Sequence, residues 1–279
     1  MKKTGRWLSF VLCGAMCMMA LGACGGSKGG QDASQADVVE TIKTRGKLVC
    51  GVKYDVPNFG YEDPVTGKLE GFEIDLCRKL AGKILGDEDA VEFVMCTAKT
   101  RGALMDSGEI DVCIATMTTN DERLASYAHT EPYYTDIGAV MVMADSGIES
   151  FADLDGKVMG APQGSTSMRD AMDKAAEMGI AMTESSEYAT IADCKAALTA
   201  GRVDAITNDN CMLTGLLDKN TVILPEKYHK QYYRIWSKLG NDTLMGTAQE
   251  MLDELSESGE MQELLTKWGL EDYAEYEQE

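Results

Sequence analysis

Four short stretches hold the residue types that bind charge. In "IATMTTNDERLA" (114–125) an apolar run gives way to threonines and then to Asn120, a natural helix N-cap. Asp121 and Glu122 suit the positive end of the helix that follows, but Arg123 opposes its dipole, at roughly 0.3–1 kcal/mol. The planar fork of Arg123 matches a carboxylate bidentately. Two readings stand: a ligand carboxylate, or an ion pair with Asp121, Glu122 or Asp111. In "GAPQGSTS" (160–167) glycine and hydroxyl residues lead from a strand into a helix. Free N–H groups there cradle an anion, or the stretch is a glycine turn with a Ser/Thr cap. No GK[ST] follows, so it is not a Walker loop. In "VDAITNDNC" (203–211) Asp209 ends a strand, as an ammonium acceptor or as an Asx-turn. In "LVCGVKYDVPNFGY" (48–61) Lys53 arrives where a buried strand ends, as surface charge or as a cation facing a cleft.

Together these residues describe a receptor for a zwitterion. Arg123, Thr116 and Thr118, with Ser165 and Thr166, can hold a carboxylate, and Asp209 can hold an ammonium. The two groups come from different halves of the chain, so a ligand would favour their closure.

Alternating strand and helix patterns must position them. Strand-like "KLVCGV" (47–52), "VEFVMC" (91–96) and "IDVCIA" (110–115) are interleaved with helical "GFEIDLCRKLAGKIL" (71–85) and "TRGALMDSG" (100–108). The pattern restarts with "KVMGA" (157–161), "STSMRDAMDKAAEMG" (165–179), "TIADCKAALTAG" (190–201) and "VDAITN" (203–208). This alternation predicts an α/β chain with parallel sheets covered by helices. Two apolar stretches, "IGAVMVM" (137–143) and "QYYRIWS" (231–237), flank the second block and read as strands crossing between two lobes. Residues 243–270 read as two amphipathic helices broken near Gly259. The expected division is lobe 1 over 38–139, lobe 2 over 140–236, and a return to lobe 1 over 237–279. Ligands of open α/β sheets sit beyond the carboxyl ends of the strands, which here are Lys53, Thr116, Gly164 and Asp209.

The 279 residues suffice for two such lobes. A formal charge of −20 speaks against nucleic acid, which needs a basic footprint. Residues 1–23 read as an export signal: Lys2, Lys3 and Arg6, then an apolar run from Trp7 to Leu21 and small residues. Cleavage before Cys24 removes three cations and no acid, taking the charge from −20 to −23. Residues 25–37 contain no large apolar side chain and read as a flexible tether with a reach of roughly 20 Å. Beyond the signal and Cys24, six cysteines remain: Cys50, Cys77, Cys96, Cys113, Cys194 and Cys211. None forms a CxxC pair, so no zinc site is expected, and apolar neighbours favour mostly free buried thiols.

"GFEIDLCRKLA" (71–81), "SGEIDVCIATMTTNDER" (107–123), "EPYY" (131–134), "PQGST" (162–166), "AGRVDAITND" (200–209) and "ELSESGEMQELLTKWG" (254–269) resemble, in this order, the polar amino-acid solute-binding proteins of ABC importers, family 3. "LGAC" (21–24) resembles the lipobox of bacterial lipoproteins, in which the cysteine, here Cys24, is lipidated. The resemblance implies a two-lobed, type II periplasmic-binding-protein-like fold with two hinge strands closing on one amino acid. It assigns Arg123 to the α-carboxylate and Thr116, Thr118, Gly164, Ser165 and Thr166 to further hydrogen bonds. Asp209 is assigned to the α-ammonium and Phe72 to stacking on the ligand. It implies a monomer held to the outer face of the cytoplasmic membrane, working with a permease and its ATPase subunits, and no cofactor or metal.

The chain departs from its relatives at Lys53, Val56 and Asn58, where many carry an acid, an aromatic and a proline. A lysine in place of an acid favours an acidic ligand side chain, glutamate or aspartate, and Arg101 is a second candidate for that carboxylate, against a reading as a surface arginine. Glutamine, cystine or another polar amino acid is the alternative. A cyclohexadienyl-dehydratase-like enzyme is a distant one, because His129 and His229 lie outside the matched pocket motifs. If Cys24 is the anchor, Cys24→Ala moves the protein from the detergent phase to the aqueous phase in a Triton X-114 partition of expressing cells. Unchanged partition of this variant would count against lipidation.

Overall fold

The computed structural model describes residues 37–182 and 184–271. The expected signal, Cys24 and most of the tether lie outside the described residues, as does the C-terminal end of the return segment.

Asp37 caps α1 (Val38–Arg45), accepting from the Val39 N–H at 3.0 Å. β1 (Leu48–Val52) is buried along its length. β2 (Asp55–Val56), β3 (Gly60–Glu62) and β4 (Leu69–Glu70) form a small antiparallel sheet beside it. α2 (Phe72–Leu85) buries Phe72, Leu76, Leu80 and Ile84, the helical stripe legible in the sequence, and stops at Gly86 in the left-handed conformation. β5 (Val91–Met95), α3 (Arg101–Ser107), β6 (Val112–Ile114), α4 (Asp121–Ser126) and β7 (Tyr127–His129) complete the first pass through lobe 1.

The chain then crosses. β8 (Tyr134–Met143) leads into lobe 2, which adds β9 (Val158–Pro162), α5 (Ser167–Met178), β10 (Glu184–Tyr188), α6 (Ile191–Thr199), β11 (Ala205–Asp209), α7 (Asn210–Thr214) and β12 (Thr221–Ile223). β13 (Tyr228–Tyr233) returns along β8, and β14 (Trp236–Lys238) re-enters the first sheet. α8 (Asp242–Ser258) and α9 (Glu260–Lys267), separated at Gly259, close the chain.

The sheets run β5-β1-β6-β14-β7 and β10-β9-β11-β8-β12, with β13 also on β8. β1 is parallel to β5 and β6, and β9 is parallel to β10 and β11, as the alternating pattern predicts. β14 and β8 are antiparallel to their neighbours β6 and β11, so both sheets are mixed. These two strands arrive from the other lobe and not through a helical crossover, which frees them from the parallel rule. The lobe boundaries also move. β8 belongs to the second sheet from Tyr134 onward and Trp236 belongs to the first, so the crossings lie near 130–134 and 233–236. The expected borders at 139/140 and 236/237 were set by apolar runs, which continue into the strands on either side.

Aromatic rings fill the crossing. Tyr134 stacks on Tyr233 with centroids 5.7 Å apart, and Phe59 meets both edge-on at 5.2 and 6.1 Å. α8 and α9 return to lobe 1 by burying Leu244, Met251, Leu255 and Leu264. Lys83–Glu254, Lys79–Glu260 and Lys267–Asp75 pairs at 2.6–2.7 Å flank that contact, each of them modest in worth at the surface.

Gly71 starts α2 at φ +142°, where a Cβ would meet Phe59 O at 2.1 Å. This turn fixes where Phe72 and Glu73 point. Gly71→Ala is expected to cost at least about 1–3 kcal/mol in denaturant unfolding, whereas Gly67→Ala, whose Cβ meets open space, is expected to cost less.

Candidate functional site

The carboxyl ends of the strands converge on one narrow cavity between the lobes. Lobe 1 supplies Lys53, Ala98, Arg101, Thr116 and Thr118, and lobe 2 supplies Ser165, Thr166, Ser167, Asn208 and Asp209. Three of these are charged: Lys53, Arg101 and Asp209.

Lys53 follows β1 directly and is 5% exposed, so it is not a surface charge. Its ammonium is not free either, because Asp55 Oδ1 lies 3.0 Å away. The other Asp55 oxygen accepts the Ile191 N–H at the start of α6 in lobe 2, at 3.3 Å. From sequence alone Lys53 is an unpaired cation free to meet an acidic ligand. The structure gives it a partner two residues on, in a strand too short to stand out in the sequence.

Arg101 opens α3 and is 4% exposed, which removes the surface reading. Its Nη1 donates to Ala115 O at 2.7 Å and Thr116 O at 3.2 Å, while the buried Nε has no hydrogen-bond partner. Thr116 adopts φ +44°, rare for a β-branched residue. That turn aims its carbonyl at Arg101 and its N–H at Glu73 Oε1, 2.6 Å away. Glu73 also accepts from the Tyr133 hydroxyl, and its Oε2 is buried without a partner. Burial pushes the Glu73 carboxyl up to about 7, against the pull of the Tyr133 and Thr116 donors and of Lys53 and Arg101. Its position inside the stripe of α2 concealed Glu73 in the sequence.

Arg123 lies in the first turn of α4, behind the Asn120 cap, whose side chain accepts the Arg123 N–H at 2.8 Å. Its guanidinium donates to Thr118 O at 2.6 Å and, across the cleft, to Gly164 O at 3.2 Å. It therefore lines an adjoining cleft that shares Ala98, Arg101, Ser165 and Thr166 with the cavity. None of the acids considered from sequence pairs with it; Asp111 is taken by Arg45 and the Val49 N–H. Burial, and then Arg101, lowers the Arg123 pKa. Gly164 holds φ +79° with Lys99 Cα 2.8 Å from where its Cβ would be, so only glycine lets the lobes approach here. Lys99 donates to Gln163 Oε1 at 2.9 Å beside it.

Thr166 makes no side-chain cap on α5, although Ser165 Oγ accepts the Ser167 N–H at 3.3 Å. Ser165 donates to Pro162 O at 2.7 Å, Thr166 to Gln231 Oε1 at 3.3 Å and Ser167 to Asn208 Oδ1 at 3.3 Å. Asp209 likewise makes no side-chain cap on α7 and accepts from the Tyr233 hydroxyl. Burial, and next the Asp136 charge, push Asp209 up to about 8. Phe72 is the residue that the structure places elsewhere. It is fully buried against Phe59, Tyr133 and Tyr134 and is not among the lining residues, because α2 turns its first residue inward. Val56 is buried in the core and Asn58 takes φ +71° in the turn after it. Asp55, Glu73, Ser167, Asn208 and Tyr233 went unmarked by sequence reasoning. All five fall inside stretches quoted above: Asp55 in 48–61, Glu73 in 71–81, Ser167 in 160–167, Asn208 in 203–211 and Tyr233 in 231–237.

Among the described residues no group of three or more His, Cys, Asp or Glu could hold a metal, and the six cysteines are free and buried. No described helix is long and apolar enough to cross a membrane.

The chain matches the family described as bacterial extracellular solute-binding proteins, family 3, over residues 48–271. It is 36% identical over 244 residues to the glutamine-binding protein of Geobacillus stearothermophilus, covering 83% of this chain and 91% of that one. It is 34% identical to the ABC transporter glutamine-binding protein GlnH of Bacillus subtilis (strain 168), covering 96% and 98%. An ancestral arginine-binding protein bound to arginine has a similar structure, with a TM-score of 0.70 and 32% identity over 80% of this chain and 98% of that one.

The raised Glu73 carboxyl has a consequence for stability. It is protonated in folded and unfolded chains below about 4.5, and its contribution to stability is lost as pH rises through about 7. The melting temperature of the ligand-free protein is expected to fall between pH 5 and 8, and Glu73→Gln to make that fall shallower. A difference of about 1 kcal/mol would appear as roughly 2–4 °C.

Proposed function

The chain belongs to the bacterial extracellular solute-binding proteins of family 3, and from that premise we propose that it is the amino-acid receptor of an ABC importer, taking glutamate or aspartate. The observation that carries the ligand class is the charge of the cavity wall. Lys53 and Arg101 face the cavity, and Asp209 is its one lining acid among the described residues. An amino acid brings one α-ammonium for Asp209 and one α-carboxylate for a cation, which leaves a cation for a second carboxylate. In this reading Arg123 exchanges its carbonyl contacts for the α-carboxylate, helped by Thr118, Ser165 and Thr166. Lys53 and Arg101 take the side-chain carboxylate in a water-poor cleft, where charge-assisted bonds are strong.

A second reading, glutamine, is favoured by a specific observation. Asp55 already offsets Lys53, so a neutral amide would leave the wall closer to balance. The names of the two curated relatives support it. A receptor and not an enzyme is supported by the curated relatives, both named as binding proteins. The proposal includes a lipid anchor at Cys24, a monomeric receptor at the outer face of the membrane, and delivery to a permease with its ATPase subunits.

A thermal-shift and calorimetric screen of the domain following Cys24 tests both readings. A ligand at about 100 times its dissociation constant stabilises by roughly 2.7 kcal/mol. Glutamate or aspartate is expected to raise the melting temperature most, and Lys53→Ala to weaken glutamate at least tenfold while weakening glutamine less. A wild-type response confined to glutamine would establish the second reading.

A further inference from the structure

Behind Asp209 lies a second buried carboxylate that no motif marked. Asp136, on β8, is fully buried, and its oxygens accept the Cys211 N–H at 3.1 Å and the Ile137 N–H at 2.8 Å. Tyr233, on β13, places its hydroxyl between the two acids: it bonds Asp209 Oδ2 and lies 3.4 Å from Asp136 Oδ2. Asp136 and Tyr233 belong to the two strands that cross between the lobes, and β11, which carries Asp209, pairs with β8.

The hydrogen count of this triad is short by one. A phenol has one hydrogen to donate, and ionised carboxylates only accept. With Tyr233 donating to Asp209, its oxygen meets Asp136 favourably when Asp136 donates a proton to it; the Cys211 thiol bonds the Asp136 carboxyl as well but supplies no hydrogen to the contact between Tyr233 and Asp136. Neither acid has an ion-pair partner among the described residues. The groups acting on them from neighbouring elements are Asp170 on α5, Cys211 on α7, Tyr228 on β13, Arg101 on α3, Arg123 on α4 and, near Asp136, Lys227. Two buried like charges bridged by one hydroxyl are costly when both are ionised. Burial raises both acids, and the Asp136 charge raises Asp209 further.

We infer that Asp136, Tyr233 and Asp209 form one ammonium subsite that shares a single proton in the ligand-free protein, and that the ammonium of the captured amino acid displaces this proton to solvent. The exchange balances: one proton leaves, one alkylammonium enters, and the two carboxylates with their occupant carry the same net charge before and after. Asp136 is a positioning residue, since it does not line the cavity and acts through Tyr233 and the turn at Cys211. The inference rests on Asp209 as the ammonium partner in the proposed function.

Two measurements test it. Carboxyl ¹³C titration of the ligand-free wild type, assigned with Asp136→Asn, is expected to show one of the two acids titrating above pH 6.5; both ionised below pH 5 would overturn the shared proton. Calorimetry with L-glutamate and L-glutamine at pH 6.5, in phosphate and in Tris, is expected to show about one proton released per ligand bound. Asp136→Asn is expected to cut that release at least threefold. Binding with no proton release, or equal release from Asp136→Asn, would overturn the exchange. The expected titration without heat from either amino acid would sink the ligand reading alone and leave the shared proton standing.

Discussion

The site depends on the turn at Thr116 being held between a buried carboxyl group and a buried guanidinium. Glu73 takes the Thr116 N–H, and Arg101 takes the carbonyls of Ala115 and Thr116. These contacts bind the end of β6 to the first turns of α2 and α3 and stabilise a backbone conformation that threonine disfavours. Removing either side chain would leave the backbone groups it satisfies buried without that partner, a larger loss than the hydrogen bond itself. The clasp also fixes Arg101 in the cavity wall with its Nε unpartnered.

The cleft as a whole is assembled on the same principle. Several buried ionisable groups are compensated by groups from other elements, two of them across the cleft: Lys53 by Asp55, Asp55 in turn by the Ile191 N–H of α6, Arg123 by Thr118 and Gly164, and Asp209 by Tyr233 of the crossing strand. Lobe approach and charge compensation are therefore one event, and a ligand that supplies its own ammonium and carboxylate would compete with contacts already spanning the cleft.

The elements were largely legible because each rests on local pattern. The stripe of α2, the glycine stop after α3 and the strand run of β1 are set by period and by turn residues within a few positions. The converging strand ends Lys53, Thr116 and Asp209 were legible too, because a strand that ends in a polar residue announces its own edge, and all three line the cavity. Phe72 misled because aromatic type says nothing of direction: its place at the first position of α2 turns the ring into the aromatic cluster. Glu73 stayed hidden because an acid within an amphipathic helix ordinarily faces water.

The sequence by itself determined the alternating α/β order, the crossing strands and the identity of the groups able to hold a zwitterion, since these follow from hydrophobic period and side-chain chemistry. Only the tertiary structure decided which charges meet. Asp55 reaches Lys53, Arg123 spans to Gly164, and Asp136 lies behind Asp209, separated from it by 73 positions in the chain yet bridged by one hydroxyl. The physical reason is range. Backbone preferences act over a few residues, whereas burial and Coulomb interactions depend on distance in space, and that distance is set only when the two lobes pack.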